Sequence, residues 1–337
     1  MRPQAVISLL QVVIRARLAL LLVGPPGVGK SDLVAQATAS SGADLILSHP
    51  VVNDPTDIKG IPWPDANQTE ATFLPFGDLS RALAAERLTV WMLDDLGQAP
   101  PAVQASYMQL LLARRVNGHV LPDCVTFIAA SNRRGDRAGV GGLLEPVKSR
   151  FASIVELETN LDDWCQWAME SGIRPEVIAF LRFRPELLHQ FVPSRDLKNS
   201  PCPRTWAHVS HLMDAGLPKE IELQTYQGAV GEGPAAEFVG FLRVYRQLPN
   251  PDTILMDPDH APVPSNPSAL YAVASLLATR ATEKNFDRVM AYVRRMPEEF
   301  GILAARDASR RNPLVSHTAA WQQFATSDLG RIAIGVN

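Results

Sequence analysis

The octapeptide Gly24-Pro25-Pro26-Gly27-Val28-Gly29-Lys30-Ser31 constrains this chain more than any other stretch of it. It fits G-x-x-x-x-G-K-[ST], follows an apolar run at 18–23 and opens a segment of good helix formers at 32–39, the strand, turn and helix context that a P-loop requires. The glycines let backbone N–H groups wrap phosphates, and the helix N-terminus adds positive potential. Lys30 is then placed for the β- and γ-phosphates, and the Ser31 hydroxyl for Mg²⁺.

Short apolar runs recur at 45–47, 90–93, 125–130 and 154–157, separated by helical stretches at 78–87 and 102–114. Strands alternating with helices predict a parallel sheet covered on both faces. A further apolar run at 5–14 reads as a short packed helix. Residues 53–75 carry Pro55, Pro62, Pro64 and Pro75, too many for a continuous helix, and predict an exposed excursion from the core. Beyond about residue 158 helical patterning takes over, with Pro-rich punctuation at 185–203 and 249–267. The expected division is 1–158 for the α/β domain, 159–248 for a helical domain and 249–337 for a connector and helical extension.

With 46% hydrophobic and 20% charged residues over 337 positions, the composition is that of a globular protein. A net charge of −3 supplies no overall attraction to nucleic acid or anionic membranes. Cys124, Cys165 and Cys202 are odd in number and widely spaced, which argues for a reducing compartment. The longest apolar runs fall far short of a bilayer span, and the cytoplasm is the expected location.

Two further strand ends carry chemistry. The run 90–93 closes on Asp94 and Asp95, where Asp94 would hold the metal and Asp95 would polarise an attacking water. Read alone, such a pair is more often a turn or helix cap; the preceding P-loop reverses that preference. The run 125–130 ends in Ser131-Asn132, at the C-terminal strand end where open α/β sheets bind ligands. Asn132 is placed to touch the γ-phosphate or orient water, or to form a turn before Arg133.

The stretches GPPGVGKS, NDPTDIKG, FLPFGDLSRAL, MLDDLGQAPPAVQASYMQLL, IAASNRRGD and LLEPVKSRF, in that order, resemble the MoxR branch of the AAA+ ATPases, within the group that has an insertion in helix 2. The resemblance covers about residues 18–215. It implies an αβα sandwich followed by an α-helical lid, and hydrolysis of ATP with Mg²⁺. It also implies a ring, usually a hexamer, that remodels or assembles a protein client, often with a von Willebrand factor A-domain partner. By the same resemblance Asn132 matches sensor 1, Arg150 the arginine finger and Arg204 sensor 2. Most AAA+ proteins have Glu where this chain has Asp95, one methylene shorter, so nucleotide binding is expected more firmly than fast turnover. A DNA-acting motor and a nucleotide-dependent scaffold are the alternatives.

The resemblance places residues 53–75 in a projecting hairpin, where Trp63 and Phe73 either grip a substrate chain or pack the insertion down. Cys202, His208 and His211 lack a fourth ligand and the spacing of a zinc site. Arg288, Arg294, Arg295, Arg306, Arg310 and Arg311 read as a solvated helix face or a docking patch.

Overall fold

The 18–23 run becomes a strand only from its third residue. Arg17 caps the preceding helix in the left-handed region (φ 58°) and turns the chain, so that Leu18 is 47% exposed while Leu20 is fully buried. In the computed structural model, which describes all residues except 65, 68, 137–140, 194–196, 329 and 332–337, the first part of the chain runs α1 (Pro3–Ala16), β1 (Leu20–Val23), α2 (Lys30–Ser40), β2 (Asp44–Ser48) and α3 (Pro55–Lys59). The chain continues through β3 (Ile61–Pro64), β4 (Ala71–Leu74), α4 (Gly77–Leu83), β5 (Thr89–Leu93), α5 (Pro101–Ala113), β6 (Arg115–Val116) and β7 (His119–Val120). It ends with β8 (Val125–Ser131), α6 (Glu145–Lys148) and β9 (Ser153–Glu156).

Five of these strands form a parallel sheet in the order β2-β5-β8-β1-β9. Their near-continuous apolar sequences follow from burial on both faces, and the two-residue period sorts the side chains. Leu21, Trp91, Leu93, Phe127 and Ala129 pack with α4 and α5 residues such as Leu79 and Tyr107. Leu20, Leu22, Val90, Met92, Ile128 and Ala130 pack on α1 and α2 through Leu10, Ile14 and Val34. The result is a three-layer αβα arrangement.

The excursion at 53–75 is the helix α3 followed by the antiparallel hairpin β3–β4, with Pro62 opposite Phe73 and Trp63 opposite Thr72. Asp54 caps α3 by accepting from the Thr56 N–H at 3.1 Å, and Ile58 is buried. Gly60 (φ 83°) is required where the hairpin closes, because a Cβ there would stand 2.7 Å from the Leu74 carbonyl. The hairpin side chains are mostly exposed, and Trp63 is 58% exposed, so packing onto the domain does not account for it. A second hairpin, β6–β7, turns at Asn117-Gly118, both with positive φ. Asn117 Nδ2 donates to the Lys59 carbonyl at 3.0 Å, and the His119 ring nitrogen meets the Phe73 carbonyl at 2.6 Å. The two hairpins are therefore tied together.

The chain divides into two compact units, Met1–Asn160 with Phe191–Arg195, and Leu161–Gln190 with Asp196–Asn337. The second unit is helical: α7 (Leu161–Glu170), α8 (Pro175–Phe183), α9 (Pro203–Asp214), α10 (Lys219–Val230), α11 (Glu232–Arg246), α12 (Pro251–Met256), α13 (Pro267–Arg280), α14 (Phe286–Val293), α15 (Glu298–Arg311) and α16 (Ala319–Thr326). One apolar cluster gathers Phe180, Trp206, Tyr226 and Phe238, and another Phe286, Met290 and Phe300, with Leu248 against both. The Pro-rich stretch 249–267, read as the start of a connector, contains α12, capped by Asn250 with Pro251 in its first turn. Arg182 on α8 and Asp307 on α15 form a buried bidentate ion pair.

Among the described residues no three His, Cys, Asp or Glu side chains group to hold a metal ion, Cys202 instead capping α9. Arg288, Arg294, Arg295 and Arg310 are exposed, and four of the six C-terminal arginines also hold a partner: Arg288 the Leu255 carbonyl, Arg294 Gln323, Arg295 the Pro258 carbonyl and Arg306 Asp162. Among the described residues no helix is long and apolar enough to cross a membrane.

Candidate nucleotide site

The parallel register brings three strand ends to one edge of the sheet. Val23 lies beside Ser131, and Leu93 beside Ala129, so the segment after β1, the Asp94-Asp95 pair after β5 and Asn132 after β8 are neighbours. The Gly24 N–H donates to the Ser131 carbonyl at 3.2 Å, fixing the root of the 24–31 loop. Gly27 (φ 74°) and Gly29 (φ 91°) supply the left-handed backbone that bends the loop into the first turn of α2.

Lys30, only 7% exposed, donates to the carbonyls of Gly24 and Pro25 at 2.9 Å each and to Asn132 Oδ1 at 2.7 Å. Ser31 Oγ donates to Asp94 Oδ2 at 2.7 Å. The other Asp94 oxygen accepts the Asp95 N–H at 3.1 Å. Asn132 Nδ2 donates to Asp95 Oδ1 at 3.2 Å, so one amide links the lysine to the second carboxylate. Asp95 sits in the left-handed region (φ 55°) and heads a 3₁₀ turn, its carbonyl accepting from Gln98. Such a backbone is sparsely populated for a residue other than Gly, although Asp tolerates it better than most.

These donors suit a hard divalent cation. Because the Ser31 hydroxyl gives its hydrogen to Asp94, its lone pairs are left for a metal, and an oxygen-only pair of this kind matches Mg²⁺ chemistry.

Two features around the site were not read from the sequence. Gly97 is pressed against β8 so closely that a Cβ would fall 2.2 Å from Ser131 Oγ. Arg133 clamps the loop after Asn132: it pairs with Asp136 at 3.1 Å and with Glu156 at 3.0 Å. The bonds to Asp136 chiefly raise its pKa, burial opposing. Ser131 lies 34 residues beyond Gly97 and Glu156 lies 23 beyond Arg133, so nothing local announces either partner.

Of the two arginines implied by resemblance, Arg150 makes its hydrogen bonds among the described residues outside this group, and Arg204 belongs to the helical unit. Arg150 donates through Nε to the Met108 carbonyl at 3.0 Å and through Nη1 to the Pro146 carbonyl, joining α5 to α6. Arg204 is exposed in the first turn of α9.

A family model for the AAA domain (dynein-related subfamily) matches residues 19–151, the segment that holds the P-loop, both carboxylates, Asn132 and Arg150. No curated protein matches the chain. Among solved structures, the Thermotoga maritima RuvB Holliday junction branch migration motor is similar at 17% identity, over 82% of this chain and 80% of that one, with a TM-score of 0.41. A mutant form of the same protein aligns at 16% identity over 87% of this chain and 86% of that one, with a TM-score of 0.42.

Proposed function

We propose that the chain binds Mg-ATP and hydrolyses it to ADP and phosphate, through the segment 19–151 that matches the AAA domain (dynein-related subfamily). The observation that carries this reading is the joined set at one sheet edge: Lys30 on Asn132, Asn132 on Asp95, and Ser31 on Asp94. Gly27, Val28 and Gly29 offer backbone N–H groups to the phosphates, since Pro25 and Pro26 have none and that of Gly24 goes to Ser131, and Lys30 offers its ammonium to the β- and γ-oxygens. Ser31 and Asp94 would hold Mg²⁺, which supplies positive charge to the phosphate oxygens as negative charge shifts in transfer. Asp95 accepts the proton of the attacking water, and Asn132 orients that water or carboxylate.

Arg150 and Arg204 enter the same reading as cations that stabilise the transferring phosphoryl group. Arg150 acts from a neighbouring subunit of a ring. That ring remodels or assembles a protein client, with a von Willebrand factor A-domain protein as its partner, as the sequence resemblance implies.

Phosphate release from ATP and Mg²⁺ is compared between the wild-type chain and Lys30→Ala. The wild type is expected to turn over and the variant to lose both nucleotide affinity and phosphate release. Equal release by the two proteins defeats the proposal.

A further inference from the structure

The helical unit contains a second concave site, a cleft of about 240 Å³ bordered by α8, α9, α10 and α11. Two arginines enter it, each held by a carboxylate. Arg174 donates to both oxygens of Glu176 at 3.2 and 2.6 Å and to Asp214 at 3.2 Å. Arg246 donates to both oxygens of the buried Glu222, one of them at 2.9 Å. A guanidinium has five N–H groups, so both arginines keep hydrogens to give.

Other donors converge there. Lys219 lines the cleft and has no partner among the described residues. Tyr226 also lines it, is 1% exposed, and its hydroxyl has no hydrogen-bond partner among the described residues. Burial, then Glu222, pushes this phenol up to about 12, while Arg246 and Arg174 pull it down. It is therefore a protonated donor at neutral pH, placed where both ion pairs are felt. The Tyr245 phenol is raised in the same way, by burial first and then by Glu176. The Tyr226 hydroxyl itself still meets solvent in the cleft, so an acceptor on a ligand would take the place of water there.

We propose that this cleft binds a small monocarboxylate, whose oxygens take hydrogens from Tyr226, Lys219 and the spare arginine N–H groups while its short hydrocarbon body lies along Met213, Leu217 and Leu242. The charge balance selects a single negative charge. Three cations face two carboxylates in the lining, and Asp214 behind Arg174 is half-exposed and screened by solvent, so one positive charge is left, which a monoanion neutralises and a dianion exceeds. The size is below the roughly 300–1,000 Å³ of pockets for larger ligands, which restricts the body to a few carbons. The inference is independent of the nucleotide site, since every group in it belongs to the helical unit.

Butyrate is titrated into the full-length chain at constant ionic strength, with heat of binding as the readout and sodium phosphate as the competing anion. Beside it runs a capped, amidated tripeptide with one Glu side chain, and the tighter of the two probes tells whether a free acid or a protein-borne carboxylate is the natural occupant. Saturable binding is expected for the wild type, weakened about tenfold in Tyr226→Phe, which removes one hydrogen bond to a charged acceptor. Exposed Lys219→Ala, which leaves the packing intact, is expected to weaken it at least about threefold by removing one charge. No saturable heat with either carboxylate, phosphate bound as tightly as butyrate, or unchanged affinity in both folded variants overturns the proposal.

Discussion

At the scale of single residues, Asn132 does what neither a carboxylate nor an alkyl side chain can do in its place. Its oxygen accepts from Lys30 and its nitrogen donates to Asp95, so a group that draws the ammonium away also frees the amide that steadies the carboxylate. Asn132→Asp keeps the size, removes the donor and adds a third carboxylate beside Asp94 and Asp95. It is expected to lower the hydrolysis rate by about 10²-fold, in the range seen when one preorganised donor is lost, with nucleotide affinity falling less. Single-turnover hydrolysis beside fluorescent-nucleotide titration checks this, and an unchanged rate would remove Asn132 from the chemistry. The P-loop, Asp94, Asp95 and Asn132 were legible because each stands where an apolar strand gives way to polar residues. The bond between Lys30 and Asn132 was not, because 102 residues separate them and only the sheet order makes them neighbours.

Among elements, the helices and strands with long periodic patterns emerged from the sequence within two or three residues, except that α4 stops at Leu83 rather than near 87. What escaped was short. The β6–β7 hairpin has two residues on each side of its turn, too few for alternation to register, although Asn-Gly is the favoured pair for a two-residue turn. Helix α12 hid in a Pro-rich stretch where Asn250 and Pro251 are in fact a cap and a first-turn proline. Neither residue of the Arg182–Asp307 pair drew notice, since nothing local predicts a partner 125 positions away. Burial penalises the Arg182 charge, and Asp307 outweighs that and raises its pKa. Asp307→Ala strands the guanidinium and is expected to cost about 3–5 kcal/mol in chemical denaturation. Joint replacement by Met at 182 and Leu at 307 is expected to recover most of that loss, and a mild effect of the single substitution would place water at the pair.

For the molecule as a whole, the parallel sheet brings the P-loop, Asp94, Asp95 and Asn132 to one rim, while Arg150 of the same unit is held on α5 and α6, where the proposed ring would offer it to a neighbour. Arg150→Ala retains its own P-loop, and Lys30→Ala retains its own Arg150. Neither variant alone is expected to hydrolyse ATP. If one subunit's arginine serves the other's nucleotide, as proposed, mixing them restores a fraction of the wild-type rate. A mixture as inert as its parts would confine Arg150 to its bonds with the Met108 and Pro146 carbonyls. The second hairpin adds a consequence for stored material. Asn117 precedes a residue without a side chain to shield its amide nitrogen, in a turn open to solvent, and asparagine is thermally labile. Attack by the Gly118 nitrogen on the Asn117 side-chain carbonyl expels ammonia and closes a cyclic imide, and water opens that imide to an acid facing the Lys59 carbonyl, so ageing by itself loosens the second hairpin from the end of α3.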